Sequence, residues 1–265
     1  MNTYGWDSVN TDISTNYITK CALFGSNNIA FSNFKQDDDY CTILEGKNHL
    51  TGLQSLERID QLHSDGREII KQNLKKFNRN DIYGTPTLYN YEVFGTMSPG
   101  STVYVSNLLD IYKFVGNKVG RIVEIGGGYG GMCVITDALI QFDEYILIDL
   151  PEVISLCKKY LSNFPDIINR VKFITCEELK SIEKIENVDL FIASASLAEC
   201  NLETQMEYVN KILKYSKYGY IVYNTMHLGE GVDSFYYILT SVETLFDFKI
   251  DTSNYNIRFV YLRRK

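Results

Sequence analysis

Five of the six positions from Gly126 to Gly131 are glycine, and no other stretch constrains the fold of this chain so strongly. A short apolar run, Arg121 to Ile125, precedes them and carries an acid, Glu124, next to its end. The apolar run Met132 to Ile140 follows and reads as a helix. The unit is therefore strand, tight turn, helix. A turn without Cβ atoms tolerates positive φ and lets backbone come close to a ligand. A tight turn alone does not need so many glycines, which favours a ligand-holding role.

Two nucleotide-binding templates fit the unit. Glu124, Gly126, Gly128 and Gly130 match E-x-G-x-G-x-G, the pattern of class I S-adenosylmethionine-dependent methyltransferases. Gly126, Gly128 and Gly131 match the dinucleotide fingerprint G-x-G-x-x-G. Asp149 ends the next apolar run, 23 positions after Gly126, where a carboxylate can accept from ribose hydroxyls in either template. The ligands differ in charge. A pyrophosphate suits a helix N-terminus, whereas a sulfonium compound suits an acid such as Glu124. The ends of the chain favour the first template. About 120 residues precede the glycines, and two closing strands, 248–252 and 257–262, flank the short turn Ser253-Asn254-Tyr255-Asn256. A hairpin there forces antiparallel pairing at the edge of an otherwise parallel sheet.

The alternation of runs predicts strands at 121–125, 145–149, 171–175, 188–193, 219–224, 248–252 and 257–262. Helices are predicted at about 130–141, 152–163, 178–184, 203–216 and 233–246. The expected fold is a doubly wound, seven-stranded α/β sheet with an antiparallel C-terminal hairpin and a mostly helical N-terminal cap. Residues 1–100 read as an arm, helical cap and substrate lid, and 101–265 as the cofactor-binding domain. Within the cap, residues 1 to about 48 show weak periodicity. Ser55 is expected to cap a helix that Asp65-Gly66 interrupts, and Ser101 to begin another that Gly116 closes. Asn78 to Pro99, with Gly84, Pro86 and Gly95, reads as a long loop. In a compact domain such a loop is usually functional, so Tyr89, Tyr91 and Ser98 are candidates to face cofactor or acceptor.

Composition excludes several classes. The net charge of −7 and the absence of long basic runs argue against a nucleic-acid partner. No segment approaches the ~20 apolar residues of a membrane span, and the polar N-terminus lacks a signal-like core, so a cytoplasmic location is expected. The six cysteines show no C-x-x-C spacing, and Cys133 and Cys157 read as core residues. No paired-acid signature points to a metal, and none is expected.

Beyond the glycine turn, Asn80, Gly84, Pro86, Tyr89, Ser98-Pro99, the Ile148-to-Glu152 run IDLPE, Ser196 and Glu199 resemble the bacterial sugar O-methyltransferase family over about Leu53 to Leu262. The resemblance implies an S-adenosylmethionine-dependent enzyme, with S-adenosylhomocysteine as product, serving capsule or lipooligosaccharide synthesis. One departure stands out: Val103-Tyr104-Val105 occupies the place of an expected Leu-Arg-Tyr. The implied partner is a small-molecule or nucleotide-linked sugar or phosphoryl acceptor, and a homodimer is allowed for.

The candidate cofactor residues are Glu124, Gly126, Gly127, Gly128, Tyr129, Asp149, Leu150, Cys176, Glu177 and Ser194. They share the carboxyl-terminal rim of the expected sheet, where doubly wound folds bind ligands. Asn224, at the end of the fifth strand, joins Tyr89, Tyr91 and Ser98 as a substrate candidate. A sugar hydroxyl must lose a proton on methylation, and His227 and Glu199 are the candidate bases. The rival readings are methylation of a phosphorus-linked oxygen, as in a phosphoramidate capsule decoration, or of a small nitrogen compound; an NAD-dependent oxidoreductase; and a degenerate domain that only binds.

Overall fold

The computed structural model describes residues 11–41, 43, 48–225, 234–254 and 256–265. Seven strands form one sheet: β1 (Lys118–Ile125), β2 (Gln141–Asp149), β3 (Val171–Thr175), β4 (Val188–Ser194), β5 (Ser216–Asn224), β6 (Phe246–Asn254) and β7 (Ile257–Arg264). Their order is β3-β2-β1-β4-β5-β7-β6. The first five are parallel, while β7 runs antiparallel to both β5 and β6. Each strand contains the run predicted for it. The chain order reverses across β1 and β4, and the crevice between their ends is where such a sheet admits a ligand.

Alternation assigns the faces of the sheet. Ile122, Tyr145, Leu147, Leu190, Ile192 and Tyr220 point to one side, and Val123, Ile146, Ile148, Phe191, Ala193 and Ile221 to the other. The first face is covered by α4 (Pro99–Val115), α5 (Gly131–Thr136) and α6 (Pro151–Leu161), and outside them by α1 (Thr11–Ser26), α2 (His49–Leu62) and α3 (Gly66–Phe77). The second is covered by α7 (Cys176–Ser181), α8 (Leu202–Lys211) and α9 (Ser234–Val242). The helices before Pro99 thus share one apolar core with the sheet. Two-faced burial explains why the parallel strands read as continuous apolar runs.

Several boundaries differ from expectation. The segment taken as a weakly ordered arm forms α1, which packs along α6 through Tyr17, Cys21 and Phe24, all buried. Helix α2 starts seven residues earlier than Ser55 suggests, because Asn48 caps it by accepting from the Thr51 N–H. Ser55 instead donates to the Thr51 carbonyl inside the helix. The break at Asp65-Gly66 is observed: α3 begins at Gly66, which stops a side chain from meeting Ile59. Helix α4 starts at Pro99, with Ser98 as its cap. Helix α5 ends at Thr136, short of the predicted 141, since β2 has begun by Gln141.

The α1–α6 contact is close. A Cβ built on Gly25 would lie 2.4 Å from Ser155 Oγ and 3.0 Å from the Leu156 nitrogen. Gly25→Val should therefore push α1 off α6 and lower unfolding stability by about 1–3 kcal/mol. Urea denaturation followed by circular dichroism checks this, and an unchanged midpoint would mean that α1 contributes little to the fold.

Candidate functional site

Tight packing shapes the glycine turn. Gly126, Gly128 and Gly130 have φ of +66°, +56° and +93°, values that L side chains rarely adopt. A Cβ on Gly126 would sit 2.1 Å from Ser196 Cβ, and one on Gly127 would sit 2.2 Å from Leu147 Cδ2. The Gly126 N–H continues the β1–β2 ladder by donating to the Ile148 carbonyl at 2.8 Å. On the far side, Ser196 Oγ donates to the Ile125 carbonyl at 2.8 Å. Ser196 reaches it because Ala195 adopts φ +70°, unusual for a residue with a side chain.

Two carboxylates flank the turn. Asp149, half-buried at the end of β2, accepts from the Gly128 N–H at 2.9 Å and the Leu150 N–H at 2.8 Å, one on each oxygen. Each oxygen keeps a lone pair for a further donor. Burial pushes its pKa up to about 6, against the pull of those two N–H groups. Alternation places Glu124 on the same sheet face as Tyr145, whose hydroxyl donates to its Oε2 at 2.9 Å. Glu124 is only 2% exposed. Burial raises its pKa to about 8, opposed by the Tyr145 hydrogen bond and helped by the nearby Asp149 charge.

Two cavities meet here. The larger, about 320 Å³, reaches from Glu124, the turn and Asp149 to Ser194, Glu199 and Val222, and is closed by α2, α4 and β7 through residues such as Gln54, Arg58, Asn107 and Phe259. The smaller, about 80 Å³, is lined by Ile125, Leu150, Cys176, Leu179, Cys200 and Tyr208, among others. Gly126, Asp149, Ser196 and Glu199 line both. Glu124, Asp149 and Glu199 make the larger cavity acidic. Arg58, its one lining cation among the described residues, is paired with Asp110 at 2.8 Å and Asp251 at 3.1 Å and stacks over Phe259 at 3.7 Å.

Of the sequence candidates, Glu124, Gly126, Gly128, Asp149, Ser194 and Glu199 converge on the larger cavity, joined by Gly127; Leu150 and Cys176 line the smaller one. Others do not reach either. The Tyr129 side chain is buried away from the cavity among Phe34, Tyr104 and Tyr160. Glu177 is exposed on α7 and lines neither cavity. Tyr89 stacks on His49 with ring centroids 4.8 Å apart, Tyr91 packs beside the same ring over Gly52, and Ser98 spends its hydroxyl accepting from the Ser101 N–H. The loop 78–98 thus supports the starts of α2 and α4. Asn224 ends β5 opposite Ile257 and is not a lining residue. His227 lies outside the described residues. Among the described residues no cluster of three or more His, Cys, Asp and Glu side chains is arranged to hold a metal ion.

The wall supplied by α2 and α4 was not foreseen. Arg58 and His63 (2.8 Å) both hold Asp110, which is 2% exposed and also accepts from Tyr220 OH at 2.9 Å. Burial acts to raise the Asp110 pKa, but His63 and Arg58 outweigh it and hold the carboxyl below its ordinary value. Tyr220 OH also lies 3.3 Å from Asn107 Oδ1, and Asn107 Nδ2 donates to Ser194 Oγ at 3.0 Å. The available signal was an otherwise apolar stretch, Val105 to Ile111, that nonetheless carries Ser106, Asn107 and Asp110, all buried.

The strand order, the antiparallel hairpin and the glycine turn after β1 together define a class I methyltransferase fold. No family model matches the chain, and no curated protein matches it. Solved structures similar to it include the pyocyanin biosynthetic protein PhzM, at 12% identity over 63% of this chain and 57% of that one, with a TM-score of 0.47. The mitomycin 7-O-methyltransferase MmcR matches at 14% identity over 63% and 56%, TM-score 0.43. TrmK of M. capricolum, solved with S-adenosyl-homocysteine, matches at 13% over 60% and 67%, TM-score 0.43. The chain thus spans little more than half the length of the first two.

Glu124 makes stability depend on pH. Its folded-state pKa lies above the ordinary 4.5, so the unfolded chain ionises first, and stability falls as pH rises from about 4.5 to about 8. Glu124→Gln keeps an acceptor for Tyr145 and removes the ionisation. The variant should match the parent near pH 4.5 and exceed it at pH 8, by up to a few kcal/mol. Thermal unfolding across that range tests this, and parallel pH profiles would refute it.

Proposed function

We propose that this chain is an S-adenosylmethionine-dependent O-methyltransferase acting on a hydroxyl of an uncharged sugar or sugar-linked group in bacterial surface-glycan synthesis. The observation that carries the reading is the junction of two cavities at a glycine turn flanked by Glu124 and Asp149. When bound, the cofactor supplies a methyl group made electrophilic by its sulfonium. The residues fit such a molecule. The smaller cavity offers a slot of mixed character to a base, with Leu150, Leu179, Cys176 and Tyr208 as apolar walls and Lys180, Thr204 and Glu207 as polar ones. Asp149 keeps acceptor capacity for ribose hydroxyls after serving Gly128 and Leu150. Gly128 lines the larger cavity without a side chain, so a ligand can come close to its backbone. Glu124 faces the cationic methionine part, and cation binding favours its charged form.

Ser194 and Asn107 stand at the acceptor side of the same cavity. Glu199 accepts the proton that the acceptor hydroxyl must lose. His227 is the second candidate base and follows β5 closely in sequence. The larger cavity supports a neutral acceptor over a phosphorylated one, because Arg58 already faces two carboxylates. The resemblance at Asn80, Gly84 and the turn supports the sugar assignment and the surface-glycan setting.

Calorimetric titration with S-adenosylhomocysteine and with NAD tests the cofactor. Binding of the first at micromolar concentration and none of the second is expected. Binding of NAD alone would overturn the proposal. Asp149→Ala should weaken S-adenosylhomocysteine binding roughly 5- to 150-fold, the loss of hydrogen bonds to a charged acceptor. The bases are separated by turnover: whichever of Glu199→Gln and His227→Ala falls by about 10²–10⁴-fold with cofactor affinity retained is the general base. If neither falls, the acceptor ionises without help, and the phosphorus-linked oxygen becomes the better reading.

A further inference from the structure

Asn80 and Gly84 belong to a motif that the cavity does not use. Tyr129 is the single residue of the glycine turn with a side chain, and it too turns away from the cavity. These facts have one explanation. We propose that Tyr129 is a positioning residue through which the N-terminal segment Phe34–Lys35, together with Asn80, holds the glycine turn in its ligand-accepting shape. Cofactor affinity then depends on how that segment is docked. The inference rests on the cofactor reading above.

The Tyr129 ring is fully buried and enclosed edge-on: Phe34 at 5.5 Å between centroids, Tyr160 at 4.9 Å and Tyr104 at 6.2 Å. Lys35 places its ammonium 4.3 Å from the ring centroid, an attraction strengthened by exclusion of water. Asn80 Nδ2 donates to the Tyr129 hydroxyl at 3.0 Å. Asn80 is itself fixed. Its Nδ2 also donates to Ser101 Oγ at 2.9 Å, its Oδ1 accepts from Tyr160 OH at 2.9 Å, and its carbonyl accepts from Lys35 Nζ at 2.6 Å. Gly84 seats the segment. Its carbonyl accepts from the Lys35 N–H at 3.0 Å, and with φ +86° it leaves the Phe34 ring the space a Cβ would fill, 2.4 Å from Cε1.

A run of glycines loses more conformational freedom on ordering than any other sequence. Without external support, a ligand would have to order the turn as it bound, and affinity would fall accordingly. Tyr129 is the turn's own side chain through which the fold can supply that support in advance, beside the Asp149 carboxylate that already holds the Gly128 N–H. Tyr104 completes the connection, since it abuts Tyr129 and also lines the larger cavity.

The test uses the full chain with S-adenosylhomocysteine as probe, by calorimetry well below each variant's melting temperature. Hydrogen exchange of the amides of residues 126–131 is read in parallel. Tyr129→Phe keeps the ring and removes the hydroxyl; Lys35→Met removes the cation. Ile70→Val trims a buried methylene of α3, outside the ring cluster around Tyr129, and serves as the stability control. Tyr129→Phe should weaken binding about fivefold or more, in line with the loss of one hydrogen bond, and should speed exchange across the turn. Lys35→Met should act in the same direction, while Ile70→Val lowers the melting temperature at unchanged affinity. If Tyr129→Phe and Lys35→Met bind like the parent and differ only in melting temperature, the residues are structural and the proposal is wrong. If the parent chain fails to bind S-adenosylhomocysteine, the cofactor reading falls, and this inference with it. Loss confined to the two variants therefore distinguishes the cases.

Discussion

The left-handed φ values at alternate positions, Gly126, Gly128 and Gly130, are the constraint on which the other features of the site depend. It lets β1 end against Ser196 at a separation no side chain would permit. It also aims the Gly128 N–H at Asp149. Glu124 and Asp149 flank the turn close enough for the charge of one to act on the other, and burial holds both carboxyls above their ordinary range. Two acids kept close in a buried place oppose stability in the ligand-free protein. A cationic ligand reverses the sign of that interaction. The electrostatics that oppose the fold would, with a cation beside both carboxyls, favour it.

The doubly wound half was readable because each of its signals is local. Strands buried on both faces read as continuous apolar runs, and glycine marks the turn that follows β1. Helix ends were less legible: the run from Met132 to Ile140 is apolar throughout, yet it holds both α5 and the approach to β2. The half before Pro99 was legible only in part. Helix α1 buries Tyr17, Cys21 and Phe24 among polar neighbours, a weak stripe that becomes decisive only against α6. The tyrosines and Ser98 of the loop were assigned to the site because a long aperiodic loop suggests function, but their contacts turned out to be props and a helix cap. Arg58 and Asn107 were missed for a different reason. They sit in helices far from the glycines in sequence, and only the fold brings them to the same cavity.

The site is built in two layers with different physics. Near the turn, backbone N–H groups meet carboxylates. On the α4 side, neutral hydroxyl and amide groups are arranged by a buried chain from Asp110 through Tyr220 and Asn107 to Ser194. That chain is anchored on an ion pair with Arg58, and an ion pair removed from water is stable only while both partners remain. The α4 side is therefore a wall whose parts hold one another in place. A change at either end of the chain alters the direction in which Ser194 can offer its hydrogen.

Ala195 shows how such an arrangement limits the further history of the sequence. Its φ of +70° suits glycine or asparagine better than alanine, so the commonest stabilising replacement would be a residue at ease in that conformation. Yet the same peptide aims Ser196 at the Ile125 carbonyl and sets the clearance over Gly126. Asparagine there would keep the left-handed peptide and the clearance, whereas glycine would keep them only with a looser exit from β4. A β-branched residue, which the left-handed region excludes, would instead swing Ser196 away from the turn and close the clearance over Gly126.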